Sequence, residues 1–256
     1  MTKAAKIIIT VASIITVIAI IFGVYFNVFR GRNLNFSTST KQVEETLSFN
    51  GEVSVLDMNV DSANITIQKG DKFSVYYNLP EALKPRVELN NGTLRIISTN
   101  NGFALFSLPG ALGGQHEIRV TLPANTSLKS GRVEVDAGDV NINAVDAENY
   151  TFEIDTGNLN LESILSNKIM MEVDAGNVNL YHSKTDELQA ELDAGNLDMD
   201  SSEIFSIRAE VDAGNIEAHN CTISSGTCDT DVGNVSLDGE IGDVRAHSDI
   251  GNVSIN

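Results

Sequence analysis

Residues 171–199 read MEVDAGNVNLYHSKTDELQAELDAGNLDM, and the unit hydrophobic-Asp-Ala-Gly-Asn-hydrophobic occurs in them twice, 19 residues apart. With small variations, this unit occurs seven times in the second half of the chain. Its glycines are Gly138, Gly157, Gly176, Gly195, Gly214, Gly233 and Gly251, which gives a spacing of 19 five times and then of 18. A nearly fixed period of this length is typical of repeat proteins, in which each unit packs on its neighbours.

Apolar residues recur at four positions of the repeat: five and three residues before the glycine, and two and four residues after it. In the third repeat they are Met171, Val173, Val178 and Leu180, and the residues between them are mostly polar. This alternation predicts one β-strand that enters the turn and another that leaves it. Since 19 residues are too few for a β/α unit, we predict an all-β fold, a parallel β-solenoid (β-helix) with seven regular coils over residues 129–256.

The turn residues suggest how each coil reverses direction. We expect the Asp to accept a hydrogen bond from the backbone two residues on, the Gly to supply a positive φ, and the Asn to stack on its equivalent in the next coil. Two segments, Val60–Ile65 and Leu89–Leu94, resemble degenerate earlier copies of the unit.

The middle of the chain, residues 43–128, shows short apolar/polar alternations between turn residues, and we interpret it as an irregular β N-terminal part of the solenoid. One uncharged segment, Asn101–Gly114 (NGFALFSLPGALGG), differs from its surroundings. It is either a loop that closes the open end of the core or a loop that contacts a membrane or a partner.

The N-terminal region predicts a membrane anchor. Residues 7–29 are uncharged and mostly apolar, and a helix of this length would be about 34 Å long, enough to cross a bilayer core of about 30 Å. Residues 1–6 would then be a cytoplasmic N-terminus and residues 30–42 a polar linker. The alternative is a cleaved signal peptide. We expect a single-pass protein of the cell membrane with its C-terminal domain extracytoplasmic.

The charge distribution excludes one class of partner. The chain has a formal net charge of −18, and residues 131–256 contain 26 acidic and 5 basic residues. Such a surface repels phosphate backbones, so we expect no nucleic-acid binding.

The repeat also carries a resemblance. The seven units, together with a preceding strand that ends Val120-Thr-Leu122-Pro123, resemble the bacterial putative-adhesin family of β-strand-repeat proteins, a domain-of-unknown-function family. The resemblance covers Phe49–Asn256. It implies an exported or membrane-anchored envelope protein, and it supplies no catalytic residues and no cofactor.

Two columns of carboxylates recur along the repeat and should both point outward on one face. The aspartates are Asp136, Asp155, Asp174, Asp193, Asp212, Asp231 and Asp249; two residues earlier lie Glu134, Glu153, Glu172, Glu191, Glu210 and Asp229. These 13 residues are the candidate metal ligands, since carboxylate oxygens suit Ca²⁺. The alternative is that turn N–H groups bond the aspartates and solvent screens the second column.

Other chemistry-bearing residues are sparse. Cys221 and Cys228 are either small buried apolar residues or a local disulfide, and the four histidines share no ligand spacing. The interior positions become smaller toward the last coil, and we predict that this C-terminal coil associates with itself or with an envelope protein.

These observations favour a non-enzymatic cell-envelope surface protein, structural, adhesive or partner-binding. The first alternative is a Ca²⁺-dependent scaffold that uses the acidic ladder. A weaker alternative is a carbohydrate-active β-helix enzyme, which would require a walled cleft that such short coils do not provide.

Overall fold

A computed structural model describes residues 41–99 and 116–256, in which nearly all regular structure is β. The strands before the repeats are β1 (Gln42–Ser48), β2 (Val55–Ser62), β3 (Asn64–Gly70), β4 (Ser74–Pro80), β5 (Arg86–Asn90), β6 (Thr93–Ser98) and β7 (Glu117–Pro123), with one 3-10 turn at Glu81–Leu83. The strands of the repeats are β8 (Ser127–Ala137), β9 (Val140–Asn143), β10 (Asp146–Thr156), β11 (Leu159–Glu162), β12 (Leu165–Ala175), β13 (Val178–Tyr181), β14 (Lys184–Ala194), β15 (Leu197–Asp200), β16 (Glu203–Ala213), β17 (Ile216–Val232), β18 (Val235–Ile250) and β19 (Val253–Ile255).

The repeats form a parallel β-solenoid, as predicted. Each coil consists of a long strand and a short strand joined by the Gly-Asn turn, and equivalent strands of successive coils pair in parallel. The register follows the repeat: Glu153 pairs with Glu172, and Leu159 pairs with Val178. Two stacks result, one of long strands and one of short strands, and the last two coils continue both stacks within β17 and β18.

The core lies between the two stacks. In the first six repeats the four apolar columns are buried, as expected: Met171 is 4% exposed and Val173 is 1% exposed. Two further inward columns complete the core at the opposite corner. The long strands contribute Tyr150, Ile169, Leu188 and Ile207, and the corner itself contributes Val145 and Ile164. The same apolar cluster continues from the repeats into β2–β7, so both parts share one core.

The N-terminal part stacks its coils in an order that differs from the chain. β2 and β3 form a coil whose strands pair with β8 and β9 on one side. On the other side they pair with β6 and β7, which come later in the chain than β2 and β3. The antiparallel strands β1 and β4 extend beyond β7, and the antiparallel β5 extends beyond β6.

Of the two segments interpreted as degenerate copies of the repeat, one forms a repeat turn and the other does not. Val60 pairs with Val135 and Ile65 with Val140, so Val60–Ile65 occupies the place of a repeat turn. The interpretation of Leu89–Leu94 is wrong, because Leu89 and Leu94 face each other across the β5–β6 hairpin. Asn91 and Gly92 have φ values of 49° and 76°, which the tight turn of a hairpin requires and which the sequence alone does not distinguish from the repeat turn.

Several predictions fall on residues outside 41–99 and 116–256: the cytoplasmic N-terminus at 1–6, the anchor at 7–29, the linker up to residue 40, and the apolar segment 101–114. Of the helices within the described ranges, not one has the length and apolar character that crossing a membrane requires.

Candidate functional site

Close backbone packing explains the glycine in the turn of each of the seven repeats. A Cβ placed on Gly195 would lie 1.7 Å from the carbonyl oxygen of Gly176, and a Cβ on Gly214 would lie 1.7 Å from that of Gly195. The φ of Gly195 is +152°, which is also unfavourable for L-residues. The turns therefore stack backbone on backbone, with no space for a side chain.

An amide ladder follows the glycines, as the Asn prediction anticipated. The backbone N–H of Asn196 donates to Oδ1 of Asn177 at 3.0 Å, and its own Oδ1 accepts from the N–H of Asn215 at 2.9 Å. The same pattern extends from Asn64 to Asn252. The expected bond from the turn to each Asp is not formed, because the glycine N–H groups bond between coils; Gly176 N–H, for example, donates to the carbonyl oxygen of Ala194.

The two carboxylate columns lie side by side on the outer surface of the long strands, and we refer to these 13 residues as the acidic face. Equivalent carboxylates are in register, as the pairing of Glu172 with Glu191 shows. Most of the 13 side chains are exposed, and the rest are partly buried. The geometry therefore confirms that both columns point outward on one face.

Basic residues neutralise the acidic face at two places. Arg132 contacts both Glu134 and Glu153 at 3.2 Å, and Arg208 contacts Glu210 at 3.2 Å. Between these two arginines the corresponding column carries uncharged residues, including the half-exposed Met170. The centre of the acidic face, around Glu172 and Glu191, therefore remains strongly negative.

Burial and mutual repulsion both disfavour the charged form of aspartates in the Asp column. Partial burial, and then the neighbouring carboxylates, raise the pKa of Asp136, Asp174 and Asp212 above the ordinary value. For Asp174 these neighbours are Asp193 and Asp155, one coil away on either side. The column is therefore an electrostatically unfavourable arrangement that the stacked backbone imposes.

The acidic face contains an open depression rather than a walled cleft. Its lining includes Met170, Gln189 and Arg208 together with glutamates of the neighbouring coils. Across residues 41–99 and 116–256, no three His, Cys, Asp or Glu side chains are arranged as a metal site. A cation on this face would therefore contact carboxylates of two neighbouring coils and complete its shell with water, and metal binding by the 13 ligands stays a prediction.

The cysteines follow the first of their two interpretations. Cys221 and Cys228 are both free and buried. Burial raises the pKa of both thiols, that of Cys228 to about 12, so neither is a reactive thiolate at neutral pH.

The histidines do not form a common site. His116 is buried, and burial lowers the pKa of its imidazole. His219 and His247 lie on the surface beside Glu217 and Asp249, at 3.6 and 3.0 Å respectively.

The far end of the solenoid, beyond the last coil, is uncovered in the described structure. Val253 and Ile255 are 45% and 47% exposed, whereas their equivalents one coil earlier, Val235 and Leu237, are 1% and 0% exposed. Sequence reasoning identified this end from its small interior residues. The exposure of Val253 and Ile255 follows from the absence of a described strand on their outer side.

The fold and the repeat turns match a known family. The family described as Toastrack DUF4097 matches residues 53–256, which comprise every coil of the solenoid. The chain belongs to this family. The resemblance found in the sequence is thereby confirmed, whereas the membrane anchor remains a prediction. A comparison with curated protein sequences gives no match.

Solved structures of the Toastrack type support the same architecture. A putative adhesin of Bacteroides fragilis aligns with a TM-score of 0.60 at 18% identity, over 85% of this chain and 98% of its own. A putative adhesin of Parabacteroides merdae aligns with a TM-score of 0.50 at 11% identity, over 85% and 98%. At these identities the likeness shows the fold.

Proposed function

We propose that this Toastrack protein is a non-enzymatic surface protein of the cell envelope, anchored by residues 7–29, which binds a partner through its acidic face. The observation that carries the proposal is that, within each of the two columns, equivalent carboxylates of successive coils are in register. This register produces a regular and strongly charged surface. Regular ladders of this kind suit adhesion, since a repeated surface can contact an extended partner at many points.

The absence of a cleft supports a binding role over catalysis. Within the described ranges the repeat coils are joined by turns of a few residues, and the depression on the acidic face is open to solvent. Glycosidases need two carboxyl groups placed about 5–9 Å apart around an enclosed bond. The name of the Bacteroides fragilis relative also favours adhesion.

Surface display is tested by proteolysis of intact cells that express the full chain with a C-terminal epitope. Loss of the epitope without lysis is expected. An epitope that is cleaved only after lysis would contradict the extracytoplasmic orientation.

Binding is tested with poly-L-lysine beads as a cationic probe. The triple variant Glu172→Gln, Asp174→Asn, Glu191→Gln removes charge at the centre of the acidic face. The control, Glu148→Gln, Asp186→Asn, Asp238→Asn, removes the same charge from other surfaces. We expect at least about a tenfold loss of retention for the first variant and a much smaller loss for the control, because multivalent charge contacts are cooperative. Equal losses would show that net charge alone governs binding and would overturn the role of the face.

A Ca²⁺-dependent scaffold is the second candidate function. The raised pKa values of Asp136, Asp174 and Asp212 favour it: burial is their largest cause, and a bound cation would relieve the second cause, the repulsion between neighbouring carboxylates. Calorimetric titration of the full chain with CaCl₂ is expected to give binding in the millimolar range and a higher melting temperature. No heat and no thermal shift at millimolar Ca²⁺ would exclude this candidate, while the poly-L-lysine result would stand on its own.

A further inference from the structure

At the uncovered end of the solenoid, the last coil exposes the apolar residues and strand edges that a further coil would cover. In each earlier repeat, the residues equivalent to Val253 and Ile255 are buried by the coil that follows. β19 pairs with β18 along one edge, and β18 pairs with β17 along one edge. β19 covers Val235–Leu237 of β18, but no described strand covers residues 239–250 of β18 or the outer edge of β19. The main-chain donors and acceptors of these two segments therefore face outward beside apolar side chains. Such an edge is a template for a further strand.

Within residues 41–99 and 116–256, the opposite end of the solenoid does not offer a matching surface. There the outermost strands are β1 and β5, which run antiparallel to their neighbours and close the core. Both carry charged side chains, including Glu44 on β1 and Arg86 and Glu88 on β5, which is typical of protected edges. Head-to-tail stacking of two molecules would therefore lack a continuous core and a complementary edge.

The last long strand is complementary to itself. Its outward side carries Asp243, Arg245, His247 and Asp249 in alternation. In an antiparallel pair centred on His247, Arg245 of each copy lies opposite Asp249 of the other. The inward side then matches Ala246 with Ser248, so small residues meet across the junction.

We propose that two copies of this protein associate through their C-terminal coils, with β18 pairing antiparallel to β18 of the second copy about a two-fold axis at His247. β19 extends the second stack in the same way. The dimer is closed, because each copy uses the same surface. It joins the two cores, removes both open edges, and leaves the acidic faces exposed along a solenoid of twice the length. This association does not depend on the proposed binding function.

Disulfide trapping tests the two-fold axis directly. In the antiparallel pair the two His247 Cα atoms are about 4.5–5.5 Å apart, which suits a disulfide. Mild oxidation of the full-length His247→Cys variant is expected to give a covalent dimer, since Cys221 and Cys228 are buried and unreactive. The matched control is Asp229→Cys, one coil earlier in the same outward column, where the two thiols would be about 15 Å apart. Absence of a dimer, or equal dimer formation by the control, would overturn the interface.

Charge exchange tests the register. Sedimentation of the full chain in detergent is expected to show a reversible dimer. Either Arg245→Asp or Asp249→Arg should weaken the dimer at least about tenfold, whereas the double variant should restore it. Val253→Lys should also abolish association, and Leu165→Lys, at a somewhat more exposed apolar site on the flank, should leave it unchanged. Circular dichroism verifies that each variant is folded. A monomer at all concentrations, or filaments instead of dimers, would contradict the proposal, and failure of the double variant would contradict the register.

Discussion

At the scale of the residue, this protein is governed by two corners with opposite requirements. At the first corner the seven repeats require glycine, because the carbonyl oxygen of the previous coil occupies the space of a Cβ; the earlier turn at Val60–Ile65 has Ala63 at this position. At the second corner the chain adopts the left-handed region without glycine. The residues there have φ values of 49–56°; they are Ala144, Ser163, His182, Ser201 and Asn220. The repeated backbone imposes the conformation on whichever residue is present.

Replacement of a turn glycine is expected to destabilise the solenoid strongly. Gly195→Ala should lower the free energy of unfolding by at least about 2 kcal/mol, because the methyl group meets the backbone of the previous coil. The matched control is Gly51→Ala, where φ is +146° but the nearest atom to a Cβ is 3.7 Å away. Denaturant unfolding of both variants separates the steric clash from the effect of φ, and equal losses would contradict the clash.

The second corner predicts a stabilising substitution. Ser163 has a φ of 56°, so Ser163→Gly should raise the free energy of unfolding by about 1 kcal/mol through relief of left-handed strain. The neighbouring Glu162→Gly serves as the control and should lower stability by at least about 0.5–1 kcal/mol, since glycine adds flexibility to a strand and the bond that Glu162 accepts from Asn143 Nδ2 is lost. Thermal melts distinguish the two signs, and a loss at both positions would contradict the strain.

At the scale of the element, each side-chain column forms a ladder along the stack. Some ladders stabilise the fold through hydrogen bonds, and others destabilise it through charge repulsion. Along the amide ladder an internal rung such as Asn196 both donates and accepts. At the second corner a shorter ladder joins Ser183 and Ser202, whose hydroxyl oxygens accept from the backbone N–H groups of Ile164 and Ser183. The carboxylate columns repel along the same direction. The stacked backbone and the core therefore hold the acidic face in place.

The amide ladder predicts a position-specific loss of stability. In the Asn196→Ala variant the N–H of Asn215 loses its acceptor, and the side chain no longer donates to Asn177. We expect a loss of about 1–3 kcal/mol in the free energy of unfolding. Asn167→Ala, on an exposed surface outside the ladder, should change stability by less than about 0.5 kcal/mol. Equal effects in denaturant titrations would show that the ladder contributes nothing specific.

At the scale of the whole molecule, repulsion between carboxylates opposes the stacking of the coils. In the acidic repeat half the carboxylates are stacked in register, and the coils are held together by the shared core and the inter-coil hydrogen bonds. At the N-terminal end a carboxylate is instead stabilised by its partners: Glu45 accepts a hydrogen bond from the Tyr77 hydroxyl and pairs with Lys84 at 3.1 Å. These contacts lower the pKa of Glu45, the Tyr77 bond being the largest cause.

The pH dependence of stability follows from the raised pKa values of Asp136, Asp174 and Asp212. Because these groups take up protons more readily in the folded chain, their unfavourable contribution is present at neutral pH. It disappears as the pH falls through the raised values toward the ordinary value of 3.8. The triple variant Asp136→Asn, Asp174→Asn, Asp212→Asn should be more stable than the wild type at pH 7, with a smaller difference at pH 4.5.

The control for this prediction uses charges outside the acidic face. The variant Glu148→Gln, Asp186→Asn, Asp238→Asn should retain the pH profile of the wild type. Added NaCl should stabilise the wild type more than the acidic-face variant, because exposed charges are screened. Identical profiles for all three proteins in urea titrations would contradict the repulsion.

The sequence by itself determined the coil, the inward columns and the outward acidic columns. In a parallel in-register stack, residues one repeat apart occupy the same environment, so local periodicity reports tertiary position. The column of Tyr150, Ile169, Leu188 and Ile207 was also readable from the repeat, although it escaped our sequence prediction. The serine ladder was not readable, since isolated polar residues give no sign of burial.

The tertiary structure alone decided the arrangement of the N-terminal part. β6 and β7 stack on the far side of β2 and β3, and β5 turns back on β6, because the pairing of these strands depends on contacts remote in the sequence. The role of the turn glycines was likewise decided there. The sequence indicated only that the turn uses the conformational freedom of glycine. The requirement for glycine arises from a carbonyl oxygen of the neighbouring coil, which occupies the space of a Cβ.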